Sequence, residues 1–167
     1  MLRFPLFSTY NMTSTTSQSQ SETVAFGKKL SRSLKGGDIL LLYGDLGAGK
    51  TTLVKGIAAG LGVKKAITSP TFALMNVYNL KNKNSKLKAL VHIDTYRLKN
   101  EQELIDIGAE DYLGAPDAVC VIEWPEKIEG LLKGKKIKKI TIEHKSKSER
   151  IIKTEKTISD KPYEPKI

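Results

Sequence analysis

The sequence predicts a layered α/β domain, because strand-like and helix-like segments alternate along its 167 residues. Two short apolar runs, residues 39–43 and 118–122, are typical of central strands buried on both faces of a sheet. A glycine-rich loop joins the first run to a predicted helix. Neither run approaches the roughly 20 apolar residues that a membrane-spanning helix needs, so a transmembrane protein is excluded.

The first helix is expected to begin after Ser19, because its hydroxyl and an acidic residue three positions later have the spacing of a capping box. Phe26, Leu30 and Leu34 follow at intervals of four, which predicts one apolar helix face. A glycine pair at 36–37 is expected to end this helix.

The later elements follow from hydrophobic periodicity and turn residues. We expect a second helix over residues 50–59, strands over 72–80, 87–94 and 118–124, a polar turn at 81–85, a short helix over 101–107, and a hairpin formed by 137–143 and 150–157.

The termini differ in composition from the rest of the chain. Residues 1–20 contain one charged side chain, Arg3, and lack a signal-peptide cleavage site, so residues 1–18 are predicted to be a disordered extension. The domain itself is expected over 19–157, followed by a C-terminal tail at 158–167. A single cysteine, Cys120, excludes an intramolecular disulfide framework and fits a reducing, cytoplasmic location.

The net charge of +10 is concentrated towards the C-terminus. Residues 131–167 carry 12 basic and 5 acidic side chains, whereas the other 130 residues carry 16 and 13. Such a basic region can contact RNA, DNA or an acidic protein, and it can equally be a solvated surface without a partner.

One segment matches in full the phosphate-binding loop G-x-x-x-x-G-K-[ST] of P-loop proteins. The match consists of Gly44, Asp45, Leu46, Gly47, Ala48, Gly49, Lys50 and Thr51. Glycines let backbone N–H groups surround phosphate oxygens, the Lys50 ammonium pairs with phosphate charge, and the Thr51 hydroxyl suits Mg²⁺. The buried strand before the loop and the helix after it are the context that this motif requires.

Two carboxylates end predicted strands, Asp94 and Glu123, and either can hold a metal ion while the other orients a water molecule. His92 alternates with Asp94 on one strand face, where it either contacts the site or is a core histidine. For Arg97, which follows the same strand, a phosphate contact, a partner contact and a helix cap all remain open.

Four blocks, in this order, resemble the TsaE family, the bacterial ATPases of tRNA threonylcarbamoyladenosine synthesis. They are GDLGAGKTT at 44–52, SPTF at 69–72, HIDTYRL at 92–98 and IEWPE at 122–126. The resemblance covers about residues 21–130.

The resemblance implies a P-loop NTPase domain with a mostly parallel sheet, flanking helices and an antiparallel extension. It implies a protein that binds ATP and Mg²⁺, hydrolyses ATP weakly alone, and joins a TsaB–TsaD complex that modifies adenosine next to the anticodon. Contact with tRNA is then indirect, or made through the basic C-terminal region.

The resemblance also assigns roles to residues. Lys50, Glu123 and Asp94 are the catalytic set, and Thr51 with Glu123 is the Mg²⁺ pair. Nucleotide contacts fall on the loop from Gly44 to Thr52, on Thr23 near the base, and on Arg150 in the hairpin, where Ser148-Glu149-Arg150 replaces the Gly-Arg often seen in the family. Switch-like or partner-facing positions are Ser69, Thr71, Tyr96, Arg97 and Trp124.

Two other functions remain as alternatives. A free-standing P-loop kinase for a small acceptor needs arginines in a substrate or lid segment, and residues 99–126 contain none. A nucleotide-gated RNA-binding module would use the basic C-terminal region.

Overall fold

A computed structural model describes residues 10–81 and 86–157. Within these ranges the chain forms seven strands, four α-helices and two short 3₁₀ helices. The strands are β1 (Tyr10–Ser17), β2 (Ile39–Tyr43), β3 (Met75–Asn79), β4 (Ala89–Asp94), β5 (Ala118–Glu123), β6 (Ile137–His144) and β7 (Arg150–Thr157). The α-helices are α1 (Gln20–Ser31), α2 (Lys50–Gly60), α3 (Gln102–Asp106) and α4 (Glu129–Leu132), and the 3₁₀ helices are Ala109–Asp111 and Pro125–Lys127.

All seven strands form one sheet in the order β1-β7-β6-β2-β5-β4-β3. The four inner strands, β6, β2, β5 and β4, are parallel. Antiparallel strands extend this parallel centre on both sides. On one side β3 pairs with β4, and on the other β7 pairs with β6 and β1 pairs with β7. The predicted P-loop α/β architecture is confirmed.

Helices cover both faces of the sheet, as parallel strands require. On one face, α1 and α2 pack over a core that contains Leu40, Leu42 and Val121. On the other, α3, α4 and the 3₁₀ helices cover a second core that contains Leu41 and Ile122. Because β2 and β5 contribute to both cores, their sequences are continuously apolar.

The contact between α1 and α2 uses small residues. The buried positions of α1 are Thr23, Gly27 and Ser31, at intervals of four. A Cβ on Gly27 would lie 2.6 Å from the Leu53 carbonyl oxygen, and one on Gly56 would lie 2.2 Å from the Val24 carbonyl oxygen. The two helices therefore approach closely only because glycine stands at both positions.

The closest packing of α1 is therefore made by its small residues, and its predicted apolar face makes a second contact. Phe26, Leu30 and Leu34 are partly buried against the core on this face. The helix ends at Ser31, so Leu34 and the glycine pair at 36–37 lie beyond it. Ser31 and Ser33 hydroxyls donate to the carbonyls of Lys28 and Leu30, at 2.8 and 2.9 Å. These bonds compete with continued helix hydrogen bonding.

The expected disordered extension at 1–18 is wrong over residues 10–17, which form β1 and pair with β7 along its full length. Residues 1–9 and the expected tail at 158–167 lie outside the described residues, as does most of the polar turn at 81–85. The strand expected from residue 72 begins at Met75, because the preceding residues form turns. Among the described residues, no helix has the length and apolar character needed to cross a membrane.

Candidate active site

The glycine-rich loop lies between β2 and α2, at the carboxyl edge of the parallel strands. Gly47 and Gly49 have φ values of +75° and +108°, which other residues rarely adopt. Gly49 is the N-cap of α2, and no side chain caps that helix. The N–H groups of the first turn, together with the helix dipole, are therefore directed at an anion position.

Lys50 is 4% exposed and lies inside this loop. Its Nζ donates to the carbonyl oxygens of Gly44 and Asp45, at 2.5 and 2.9 Å. Burial lowers the pKa of Lys50, and the carboxylates of Glu123 and Asp94 oppose this shift. The buried Lys50 ammonium thus lies near carboxylates, and a bound phosphate group would add further negative charge around it.

Thr51 and Glu123 are brought together although they come from different elements. The Thr51 hydroxyl donates to Glu123 Oε1 at 2.8 Å. His92 Nε2 lies 2.9 Å from the same oxygen, and both His92 and Glu123 are buried. His92 is therefore a member of the site. Its Nδ1 is buried without a hydrogen-bond partner among the described residues.

Asp94 lies beside Glu123 in the register of β4 and β5. Its Oδ2 accepts hydrogen bonds from Ser69 at 2.5 Å and Thr71 at 3.0 Å, and its Oδ1 accepts from the backbone N–H of Tyr96 at 3.0 Å. The Asp94 carboxylate thus connects the segment that precedes β3 with the segment that follows β4. The two predicted switch-like segments meet at Asp94.

Trp124 follows the end of β5 in a left-handed conformation, with φ +60°. Lys50 Nζ lies 3.8 Å from the centre of the indole ring, within the range of a cation–π contact. The Tyr96 ring centre is 5.0 Å from that of Trp124. Arg97 points elsewhere, with its guanidinium 4.5 Å from the centre of the Phe72 ring, and Phe72 itself is 85% exposed.

A cavity of about 350 Å³ opens beside the loop. Its lining residues come from α1, the loop, α2 and the hairpin turn, and include Gln20, Thr23, Thr52 and Arg150. Arg150 Nε donates to the Ala48 carbonyl at 2.9 Å, so the hairpin contacts the loop even without the Gly-Arg sequence. The predicted base-side and hairpin residues therefore border one cavity, and Ser69, Thr71 and Arg97 do not line it.

The residues present fit a nucleotide with a divalent cation. The loop supplies an uncapped helix N-terminus and a buried ammonium, which suit phosphate groups. The Thr51 hydroxyl and the Glu123 carboxylate supply hard oxygen donors, 2.8 Å apart, of the type that Mg²⁺ prefers.

Comparison with known proteins places this fold and site in a family. A family model described as threonylcarbamoyl adenosine biosynthesis protein TsaE matches residues 17–152. The chain belongs to the TsaE family. This match includes β2 to β6, the cavity and every residue of the site described above.

Individual relatives carry the same name, tRNA threonylcarbamoyladenosine biosynthesis protein TsaE. One from Treponema pallidum is 43% identical over 112 residues, covering 67% of this chain and 78% of the relative. One from Bacillus subtilis is 43% identical over 108 residues, covering 65% and 63%. The aligned part thus spans less than two thirds of the Bacillus subtilis relative.

A solved structure has a fold similar to that of this chain. The crystal structure of Bacillus subtilis YdiB has a TM-score of 0.72 and 32% sequence identity, and the match covers 89% of this chain and 88% of that one.

Two buried residues of this TsaE-family site were not predictable as site residues. The sequence fits His92 either as a core residue or as a site residue, and only the register of β4 against β5 brings it to Glu123. Thr95 donates to the Glu123 carbonyl at 3.2 Å and to the Trp124 carbonyl, and nothing in the sequence pattern indicates this role.

Proposed function

We propose that this chain is a Mg²⁺-dependent ATP hydrolase that supports turnover of the complex forming N6-threonylcarbamoyladenosine in tRNA, next to the anticodon. Membership of the TsaE family supports the pathway. The observation that carries the hydrolase part is the hydrogen bond of 2.8 Å between Thr51 and Glu123, beside the buried Lys50. P-loop hydrolases need a cation, a metal-binding hydroxyl and a carboxylate at one point.

Each residue then has a distinct role. The loop from Gly44 to Thr52 holds phosphate oxygens through backbone N–H groups, and Lys50 stabilises the negative charge that develops on the transferred phosphoryl group. Thr51 and Glu123 hold Mg²⁺, which when bound neutralises phosphate charge. The second carboxylate, Asp94, orients the attacking water or fixes the segments that carry Ser69 and Thr71.

The base and ribose occupy the cavity beside the loop in this proposal. Thr23 is assigned to the base side, and Arg150 also lines the cavity, with its Nε 2.9 Å from the loop carbonyl oxygen of Ala48. Adenine is favoured over guanine because the chain lacks the Asn-Lys-x-Asp motif that reads the guanine edge.

The proposed partners are a TsaB–TsaD complex and, through it, tRNA in the cytoplasm. The modification chemistry belongs to the partner, since the residues of this site act on phosphate. The exposed side chains of Tyr96 and Phe72 stand near the switch-like segments and are the proposed partner-facing positions.

The test is multiple-turnover formation of threonylcarbamoyladenosine on tRNA with purified TsaB, TsaD and a source of threonylcarbamoyl-adenylate. The reaction is run with this protein, without it, and with Lys50→Ala. We expect sustained turnover only with the intact protein. Equal modification in all three reactions would refute the proposal, even where the protein still hydrolyses ATP.

A further inference from the structure

The two helical layers of the molecule carry opposite charge. Residues 23–37 and 46–65, which include α2 and most of α1, hold 8 Lys or Arg side chains and no Asp or Glu. Residues 101–117 and 124–129, which form most of the opposite layer, hold 8 acidic side chains and one Lys. A polyanion is therefore attracted to the α1–α2 side and repelled from the other.

Six exposed basic side chains define what we call the basic helix face. They are Lys28, Lys29, Arg32, Lys55, Lys64 and Lys65. The ends of α1 and α2 lie together, because a Cβ on Gly60 would be 2.9 Å from the Lys28 carbonyl oxygen. None of the six forms an ion pair with another residue of the described ranges.

Helix stabilisation accounts for only part of this face. Lys28 and Lys29 lie in the last turn of α1, where a positive charge interacts favourably with the helix dipole. The last turn of α2 has no basic residue. Lys55 lies in the middle of α2, and Lys64 lies beyond its end, so the dipole does not explain them.

The composition of the face favours a nucleic acid over a protein. Protein interfaces are built around apolar and aromatic side chains and are depleted in lysine. The large apolar side chains that the described residues expose lie elsewhere, and none is on α1, on α2 or in the turn at 61–65. Phosphate backbones, in contrast, are bound chiefly by Lys and Arg.

In the described part of the C-terminal region, several basic side chains are less free to bind phosphate. Lys138 pairs with Asp38, and Lys153 pairs with Glu143 at 2.8 Å. Lys135 donates to the Leu113 carbonyl at 2.9 Å. These side chains already have partners inside the fold.

We propose that the basic helix face binds the phosphate backbone of tRNA. This inference rests on the proposed function, and it gives the chain its own contact with the RNA on which the complex acts. The cavity is bordered by the first turn of α1, whereas Lys28 lies eight residues further along, about 12 Å away. The basic helix face thus lies outside the residues that line the nucleotide cavity.

The experiment measures binding of the full-length protein to a fluorescently labelled, unmodified tRNA transcript by anisotropy, between 50 and 200 mM salt. The test variant is Lys28→Gln/Lys29→Gln/Arg32→Gln. We expect its affinity to be at least about ten-fold lower than that of the intact protein. The slope of log affinity against log salt should fall by about 2 to 3, near 1 for each lost phosphate contact.

The control removes the same number of charges from the C-terminal region, as Lys133→Gln/Lys145→Gln/Lys153→Gln. We expect its affinity for tRNA to change less than three-fold. Circular dichroism melting of both variants checks that the fold is retained. A larger loss in the control than in the test variant overturns the proposal, as does salt-insensitive or undetectable binding by the intact protein.

Two further readouts separate this inference from the proposed function. ATP hydrolysis and threonylcarbamoyladenosine formation are measured for the same test variant. If modification falls while tRNA affinity is unchanged, the face binds an acidic protein and the RNA proposal is wrong. If the intact protein binds tRNA through this face but neither hydrolyses ATP nor supports modification, the proposed function fails and the RNA contact stands.

Discussion

The Thr51 hydroxyl donates to Glu123 Oε1 at 2.8 Å, although the two residues are 72 positions apart in the chain. Thr51 lies in the first turn of α2, and Glu123 is the last residue of β5. Because β2 and β5 are adjacent parallel strands, the helix that follows one and the residue that ends the other meet at the same edge.

Glu123→Ala should impair hydrolysis more than nucleotide binding. The loop and Lys50 remain to hold phosphate, whereas a metal ligand or water-positioning carboxylate is lost. We expect ATP hydrolysis to fall about 100-fold or more, and affinity for a fluorescent ATP analogue to fall less than ten-fold. Glu126→Ala, an exposed neighbour, is the control. Equal losses in binding and hydrolysis would contradict this prediction and would show that Glu123 is needed to bind the nucleotide itself.

His92→Leu should weaken Mg²⁺ binding, because it removes the group that contacts Glu123 Oε1 at 2.9 Å. Replacing a residue that orients a metal ligand typically costs 10- to 100-fold in metal affinity or activity. His92→Gln retains an N–H donor and should recover most of the loss. Calorimetric titration of Mg²⁺ into the nucleotide complex measures this directly. Equal affinities for the intact protein and His92→Leu would assign His92 to the core alone.

Lys50→Ala should abolish ATP hydrolysis and weaken nucleotide binding, since phosphate loses its buried cation. Lys55→Ala, an exposed lysine on the same helix, removes an equal charge and should leave hydrolysis within about two-fold, because exposed charges are screened. Steady-state release of inorganic phosphate measures both variants. Hydrolysis that survives in Lys50→Ala would place the reaction elsewhere in the molecule.

Gly56→Ala should destabilise the fold through the α1–α2 contact. The added Cβ would lie 2.2 Å from the Val24 carbonyl oxygen and 3.0 Å from Gly27 Cα, so the helices must separate. Overpacking of this kind costs about 1–3 kcal/mol. Ala25→Val adds bulk to an exposed position of α1 and should cost less than about 0.7 kcal/mol. Urea unfolding of both variants gives the comparison, and similar midpoints would contradict the close contact.

Cys120 should resist thiol reagents in the folded protein. Burial raises the pKa of its thiol to about 12, and its Sγ donates to the Tyr112 carbonyl at 3.2 Å. Since the thiolate is the reactive form, labelling with a chromogenic disulfide at pH 8 should require unfolding. Fast labelling of the native protein, at the rate seen in urea, would contradict this.

The sequence was most informative where one local pattern decides the structure. The continuous apolar runs predicted β2 and β5, because a strand buried on both faces leaves no place for a polar residue. The loop motif predicted the position of Lys50, because the loop conformation and the place of the lysine depend on residues that are adjacent in the chain. These features do not depend on which strands are neighbours.

Features that depend on pairing between distant segments were missed. Residues 10–17 are rich in Ser and Thr and carry no hydrophobic alternation, and β7 alone brings them into the sheet. The Thr content was the available signal for a strand. Likewise, the contact of His92 with Glu123 follows from the register of β4 and β5, which the two sequences do not specify.

The pairing of β1 with β7 has a practical consequence for recombinant work. All eight residues of β1 have partners on β7, so β1 occupies the outer edge of that side of the sheet. A protein begun at Ser19 would leave the backbone N–H and C=O groups of β7 open to strands of other copies. Truncated preparations also lose every β1–β7 pairing, so they are expected to be less stable even though every residue of the nucleotide cavity is retained.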